Sequence, residues 1–270
     1  MRAVFCFVLG FWLLLAETAP VQPRVVFFTR PADATGELWA VDVYVRLDRD
    51  WLREAFEAGA GDSLRLVVDV RTPAGRQTAH EEVVWPVRAE AGSQEILQRG
   101  VSVQVPVGTY RLQVTLRDTA DTVLSRRTED LHVRKPAGAV LLSDLIPLHL
   151  PSLSEPPFAR LFWPEAEPDA WQFVLYYEVY AAEGDTVLPM RSVVVDAEGR
   201  PVHEEEYTLF VYYGHRSDYL PVDLFDLPEG EYTVRLQVVG TSVERKFHFF
   251  KTSSAAALSP PSAAENMGMH

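Results

Sequence analysis

The chain has 270 residues, 47% hydrophobic and 23% charged, enough apolar material for two cores of about 100 residues each. Its 25 basic and 38 acidic residues give a formal net charge of −13, a field that repels phosphate backbones and argues against nucleic acid as a partner. Cys6 is the only cysteine, which excludes an internal disulfide and a zinc site built on cysteines.

The chain opens MRAVFCFVLGFWLLLAETA, with Arg2 ahead of an apolar run from Ala3 to Ala16 and small residues behind it. This is the layout of a secretory signal over residues 1–19, and the run is short of the roughly 20 apolar residues that a spanning helix needs. Cleavage after Ala19 would leave Pro20 at the new terminus, so Ala16 is preferred although Leu14 lies behind it; an uncleaved anchor is the alternative. Removal of this segment takes Cys6 with it and leaves no transmembrane span. Export without disulfides points to a bacterial periplasm or cell surface.

Period-two alternation of apolar residues then predicts strands at 25–29, 38–47, 64–70, 81–87, 101–105, 110–116 and 122–133. Asp50 is expected to cap a short helix over WLREAFEA, with Gly59 ending it. Seven prolines between 135 and 168 mark a linker, since proline lacks the donor that a central strand requires. Strand rhythm resumes at 171–180, 188–196, 202–213, 219–225, 232–239 and 243–250, and the polar end from 252 is expected to fray. The second half carries the acidity: residues 24–135 hold 16 basic and 17 acidic side chains, residues 158–250 hold 7 and 17.

Two phrases recur. AGRQTAHEE at 74–82 answers EGRPVHEEE at 198–206, and VPVGTYRLQV at 105–114 answers LPEGEYTVRL at 227–236. Their separations, 122 to 124 residues, are too long for a solenoid repeat of roughly 20–50 and fit a duplicated sandwich. Gly75 and Gly199 read as hairpin-turn residues that need positive φ. The His-Glu-Glu that follows opens the return strand, where His80 and Glu82 share a face and Glu81 does not. One histidine plus one carboxylate makes no metal site, so no metal and no cofactor are expected. Tyr110 and Tyr232 match the tyrosine corner of immunoglobulin-like sandwiches, each two residues ahead of a core aliphatic.

The expected fold class is therefore all-β: two tandem immunoglobulin-like sandwich modules at 24–135 and 169–251, a short helix inserted in the first, a proline-rich linker over 136–168 and a tail over 252–270. The V-x-D-x-x-G turn, the P-x-G-x-Y corner and LLSDL at 141–145 resemble the β-rich N-terminal region of bacterial exported GWxTD-domain proteins, over about residues 25–250. The G-W-x-T-D motif is absent, so the resemblance implies a fold and an exported setting and carries no activity.

No nucleophile elbow, P-loop, dinucleotide fingerprint or zincin signature is present. The strand WQFVLYYEVY puts Trp171, Phe173, Leu175, Tyr177 and Val179 on one face and Tyr176, Glu178 and Tyr180 on the other; both faces cannot be core of one two-layer sandwich. In YTLFVYY, Tyr207, Leu209, Val211 and Tyr213 are expected on one face and Phe210 and Tyr212 on the other. Tyr176, Tyr180 and Tyr212, with His215, Arg216 and Asp218 in the following loop, are candidates for binding a sugar or peptide. The competing reading, preferred because large apolar patches are usually covered, packs the second aromatic face against the first module, the linker or another subunit. Trp85 and Trp163 are expected to pack at an edge or linker. Three functions follow: a non-enzymatic exported envelope protein acting in protein interaction or as a structural component, a carbohydrate-binding accessory, and a hydrolase using paired carboxylates roughly 5–10 Å apart.

Overall fold

The structure, a computed structural model, describes residues 23–33, 35–87, 96–133, 138–149, 156, 160–163 and 172–252. The signal segment, Trp171 and the tail beyond Thr252 lie outside the described residues.

The first module contains β1 (Arg24–Pro31), β2 (Leu38–Asp48), α1 (Arg49–Glu57), β3 (Leu64–Arg71), β4 (Gln77–Trp85), β5 (Ile96–Pro106), β6 (Gly108–Arg117) and β7 (Val123–Val133). Its strands form two antiparallel sheets, β1-β2-β5 and β4-β3-β6-β7. The second contains β10 (Gln172–Ala181), β11 (Thr186–Asp196), β12 (Pro201–Val211), β13 (His215–Asp223), β14 (Gly230–Val238) and β15 (Glu244–Lys251), and its larger sheet runs β12-β11-β14-β15. Strand by strand this repeats β4-β3-β6-β7, so the duplication read from two phrases extends to topology. The architecture is two tandem immunoglobulin-like sandwiches.

Burial follows the alternation. Trp39, Val41, Val43, Val45 and Leu47 of β2 point into the first core, against Leu66, Val68 and Val70 of β3 and Leu112, Val114 and Leu116 of β6. Trp85 is fully buried in that core. Phe173, Leu175, Tyr177 and Val179 of β10 play the part of β2 in the second core, with Val234 and Leu236 of β14 opposite.

Both tyrosine corners close in the same way. The Tyr110 hydroxyl donates to the Pro106 carbonyl at 2.9 Å, and the Tyr232 hydroxyl to the Pro228 carbonyl at 2.9 Å. The glycine turns also repeat: Gly75 has φ +85° and Gly199 φ +79°, and their amides donate to the Thr72 and Asp196 carbonyls at 2.8 and 2.9 Å.

Three readings need correction. The cap of α1 is Asp48, in extended conformation and with no side-chain cap bond, because its carboxylate is engaged by Arg46; Asp50 lies in the first turn, ion-paired to Arg53 at 3.0 Å. Strand β5 starts at Ile96, five residues before the expected start at 101, with Leu97 buried. The segment assigned to the linker supplies two strands, β8 (Val140–Leu142) and β9 (Ile146–Leu148), both antiparallel to β10. They complete the smaller sheet of the second module, β13-β10-β8 with β9 also paired to β10, so that module begins near Val140 and not at 169. Pro147 is tolerated because each strand is only three residues long and sits at the sheet edge.

Candidate functional site

Strand β2 and strand β10 are buried on both faces. Their second faces are turned to one another across the module boundary. From the first module come Val26, Phe28 and Tyr44; from the second, Ile146, Leu148, Val174 and Tyr176, with Leu161 and Trp163 from the chain between. The Trp163 indole donates to Gln98 Oε1 at 3.1 Å, and the Arg46 guanidinium lies 5.5 Å from its ring centroid.

Polar groups run through this apolar junction. Arg30 Nε donates to Asp42 Oδ2 at 2.7 Å and its Nη1 reaches Glu178 Oε1 at 3.3 Å, so one guanidinium bridges a carboxylate of each module. Glu178 also accepts from the Tyr176 hydroxyl at 2.6 Å and the Tyr180 hydroxyl at 2.7 Å. The LLSDL phrase clips the two modules. The Glu178 amide donates to Ser143 Oγ at 2.8 Å, and the Thr29 amide and hydroxyl both donate to Asp144 Oδ2 at 2.7 Å.

Burial alone would depress the Arg30 guanidinium, but the Asp42 carboxylate beside it, supported by Glu178, raises its pKa instead. Burial pushes the Asp42 carboxyl up against the opposing pull of Arg30. Burial likewise raises the phenols of Tyr44, Tyr177, Tyr180 and Tyr207, with neighbouring acidic groups adding to it.

Tyr176 and Tyr180 are therefore joint residues. They are 1% and 8% exposed, and neither ring offers a face to a ligand. Of the six binding candidates, Tyr212 stays exposed at the β12–β13 turn; His215, Arg216 and Asp218, expected in a loop, lie on strand β13 paired to β10, the first two exposed and Asp218 half-buried 3.8 Å from Arg216. His215 is tied inward, its ring 4.4 Å from that of Tyr180 and its Nε2 3.9 Å from Glu178 Oε2.

The residue that the sequence reading misplaced is Tyr213, which was expected on the core face with Tyr207, Leu209 and Val211. Strand β12 ends at Val211, and Tyr213 and Gly214 occupy a two-residue turn closed by the His215 amide donating to the Tyr212 carbonyl at 3.1 Å. Both turn residues have positive φ, +54° and +76°, as in type I′ hairpins, which favour Asn-Gly or Asp-Gly. A tyrosine there costs about 1–3 kcal/mol in backbone strain. The Tyr213 ring is 95% exposed, so no packing offsets that cost. The turn is held from beneath: the Tyr213 amide donates to Asp185 Oδ1 at 2.6 Å, and the Ala181 amide to the Gly214 carbonyl at 2.9 Å. The signal in the sequence was Tyr-Gly at the end of a strand, an X-Gly turn dipeptide.

The repeated His-Glu-Glu lies on β4 and β12, the terminal strands of the two larger sheets. His80 Nδ1 is 3.0 Å from Asp69 Oδ1, on the outer face of the first module, while His203 belongs to the second. Among the described residues, no group of three or more His, Cys, Asp or Glu is placed to hold a metal ion, and no helix is long and apolar enough to cross a membrane.

No protein-family model and no curated protein matches the sequence. Among solved structures the chain is similar to the BSP domain of a biofilm-associated protein, at 15% identity and TM-score 0.35 over 80% of this chain and 28% of that one. It is similar to dimeric latent PorU from Porphyromonas gingivalis at 12% identity and TM-score 0.35, over 86% and 20% of the two chains. A bacterial adhesin from Mobiluncus mulieris is similar at 9% identity and TM-score 0.27, over 80% and 81%. The chain thus spans less than a third of the length of the first two.

Proposed function

We propose that the chain is a non-enzymatic, exported bacterial envelope protein, a fixed tandem of immunoglobulin-like modules that serves as an interaction or structural component. The observation that carries this reading is the junction. A spacer or scaffold must hold its modules in one orientation, and here Arg30 bridges Asp42 and Glu178 while Asp144 takes two hydrogen bonds from Thr29. A junction of packed apolar side chains and bridging charges favours one relative orientation of the modules. Export belongs to the proposal and rests on the N-terminal segment, as kinship with the β-rich region of GWxTD-domain proteins rests on the sequence phrases alone.

Carbohydrate binding, the second reading, is disfavoured because two of its three tyrosines are used inside the junction. The test is cross-linked copurification of the tagged full-length chain from native envelope. The proposal expects a macromolecular partner that is retained through stringent washing and lost when Asp144→Ala and Arg30→Ala loosen the joint. Recovery of the tagged chain alone, from intact envelope, would sink it.

A further inference from the structure

The β12–β13 turn, which joins the two sheets of the second module, is where the surface departs from what a monomer needs. Tyr213 occupies a left-handed turn position that asparagine or glycine would fill with less strain, and its ring is 95% exposed. Tyr212 beside it is 54% exposed. On the outer face of the adjoining strands, Phe210 and Val187 are cross-strand partners and both are more than half exposed. Four large side chains thus emerge around this turn, two on the turn that Asp185 and Gly214 fix in place and two on the adjoining strands β11 and β12. Backbone strain maintained without any internal return marks a position kept for contact.

The charge around it selects the partner. Residues 172–252 carry 7 basic and 14 acidic side chains, and the turn packed under Tyr213 contributes Glu183 and Asp185, both exposed. Arg216, the nearby cation, faces Asp218 at 3.8 Å. Anionic lipid and acidic glycan are repelled by this field, and a neutral glycan makes no use of it. A cation placed on a tyrosine face with a carboxylate beside it is held by both.

We propose that the Tyr212–Tyr213 turn is a docking surface for a basic protein segment, with an arginine or lysine stacked on Tyr213 beside Glu183 and an apolar side chain laid on Phe210 and Val187. This rests on the reading of the chain as an interaction component, and supplies the place and the chemistry of the contact.

The test is titration of the full-length chain with a synthetic peptide of alternating arginine and leucine, followed by amide chemical shifts. A glutamate–leucine peptide, a neutral oligosaccharide and phosphatidylglycerol vesicles are run in parallel. The basic peptide is expected to shift the amides of residues 210–216, with affinity falling as salt rises from about 0.05 to about 0.5 M. Tyr213→Asn is expected to raise the melting temperature, since it relieves the turn, while weakening the peptide roughly tenfold; E183Q should weaken it less. Equal binding by wild type and Tyr213→Asn overturns the proposal, as does a response to the oligosaccharide or vesicles with none to the peptide. If these titrations fail while copurification still yields a partner, the docking surface is wrong and the interaction reading stands. Failure of copurification strikes that reading itself.

Discussion

At the scale of single residues, the two tyrosine corners show how repeated wording reports a repeated physical requirement. Tyr110 and Tyr232 are each about nine-tenths buried or more, and each hydroxyl donates to the carbonyl of the proline four residues earlier. Glycine precedes each by two positions; at the first corner space is short, since a Cβ on Gly108 would meet the Tyr110 hydroxyl at 2.8 Å, while at Gly230 a Cβ would make only ordinary contact with the Tyr232 ring. Phenylalanine at 232 keeps the ring packing and leaves the Pro228 carbonyl without this donor, so Tyr232→Phe should cost about 1 kcal/mol. Calorimetry of the full chain checks this, and a melting temperature equal to wild type would remove the corner from the list of stabilising contacts. These contacts were legible in advance because the corner is local, with donor and acceptor only four positions apart. Tyr213 was not legible in the same way. Its conformation depends on where β12 ends, and alternation extended through Tyr213 puts it on the wrong face.

At the scale of elements, the repeated His-Glu-Glu belongs to sheet edges. Strands β4 and β12 each end a four-stranded sheet, so one side of each backbone has no ladder partner among the described residues. An unpaired strand edge is a template for another chain, and charged side chains along it block such pairing. In β12, residues 201–206 are all exposed, and Glu204 is anchored to Arg191 on the neighbouring strand at 2.6 Å. The recurrence of the phrase therefore needs no shared chemistry. Replacing Glu204, Glu205 and Glu206 together by valine should convert a monodisperse chain into concentration-dependent oligomers in size-exclusion chromatography, with little change in the far-ultraviolet spectrum. A variant that stays monomeric at high concentration would show that these charges do not guard the edge. Strand placement and the hairpin glycines came from period and turn chemistry within single windows. The strands β8 and β9 escaped because three residues give alternation too little length to register, and because the prolines around them argue for a linker.

At the scale of the whole molecule, the junction explains why Tyr176 and Tyr180 could not be placed from sequence: a second apolar face says that a cover exists, and only the tertiary arrangement says that β1 and β2 provide it. Arg30 is the ion that makes the cover tolerable, since Asp42 is fully buried and Glu178 is 4% exposed. Arg30→Met should destabilise the chain by about 3–5 kcal/mol by leaving a buried carboxylate uncompensated. Adding Asp42→Asn should recover part of that loss in urea melts, and a double variant no better than Arg30→Met would place the cost elsewhere. Burial in the junction and in the second core makes stability sensitive to base. Tyr44, Tyr177, Tyr180 and Tyr207 have phenol pKa values raised by burial above the unfolded value of about 10. Below pH of about 10 both states hold these protons and the contribution is fully present. Above it the unfolded chain releases them first, so stability falls as pH rises, by up to about 1.4 kcal/mol per pH unit for each phenol. Burial raises the corner phenols Tyr110 and Tyr232 too, so these six should ionise late, their tyrosinate absorbance rising with the loss of circular dichroism. Ionisation of Tyr44 and Tyr180 ahead of the core phenols, with the spectrum of the folded sheets intact, would mean that the junction opens to solvent without unfolding, and that the two sandwiches are not one body.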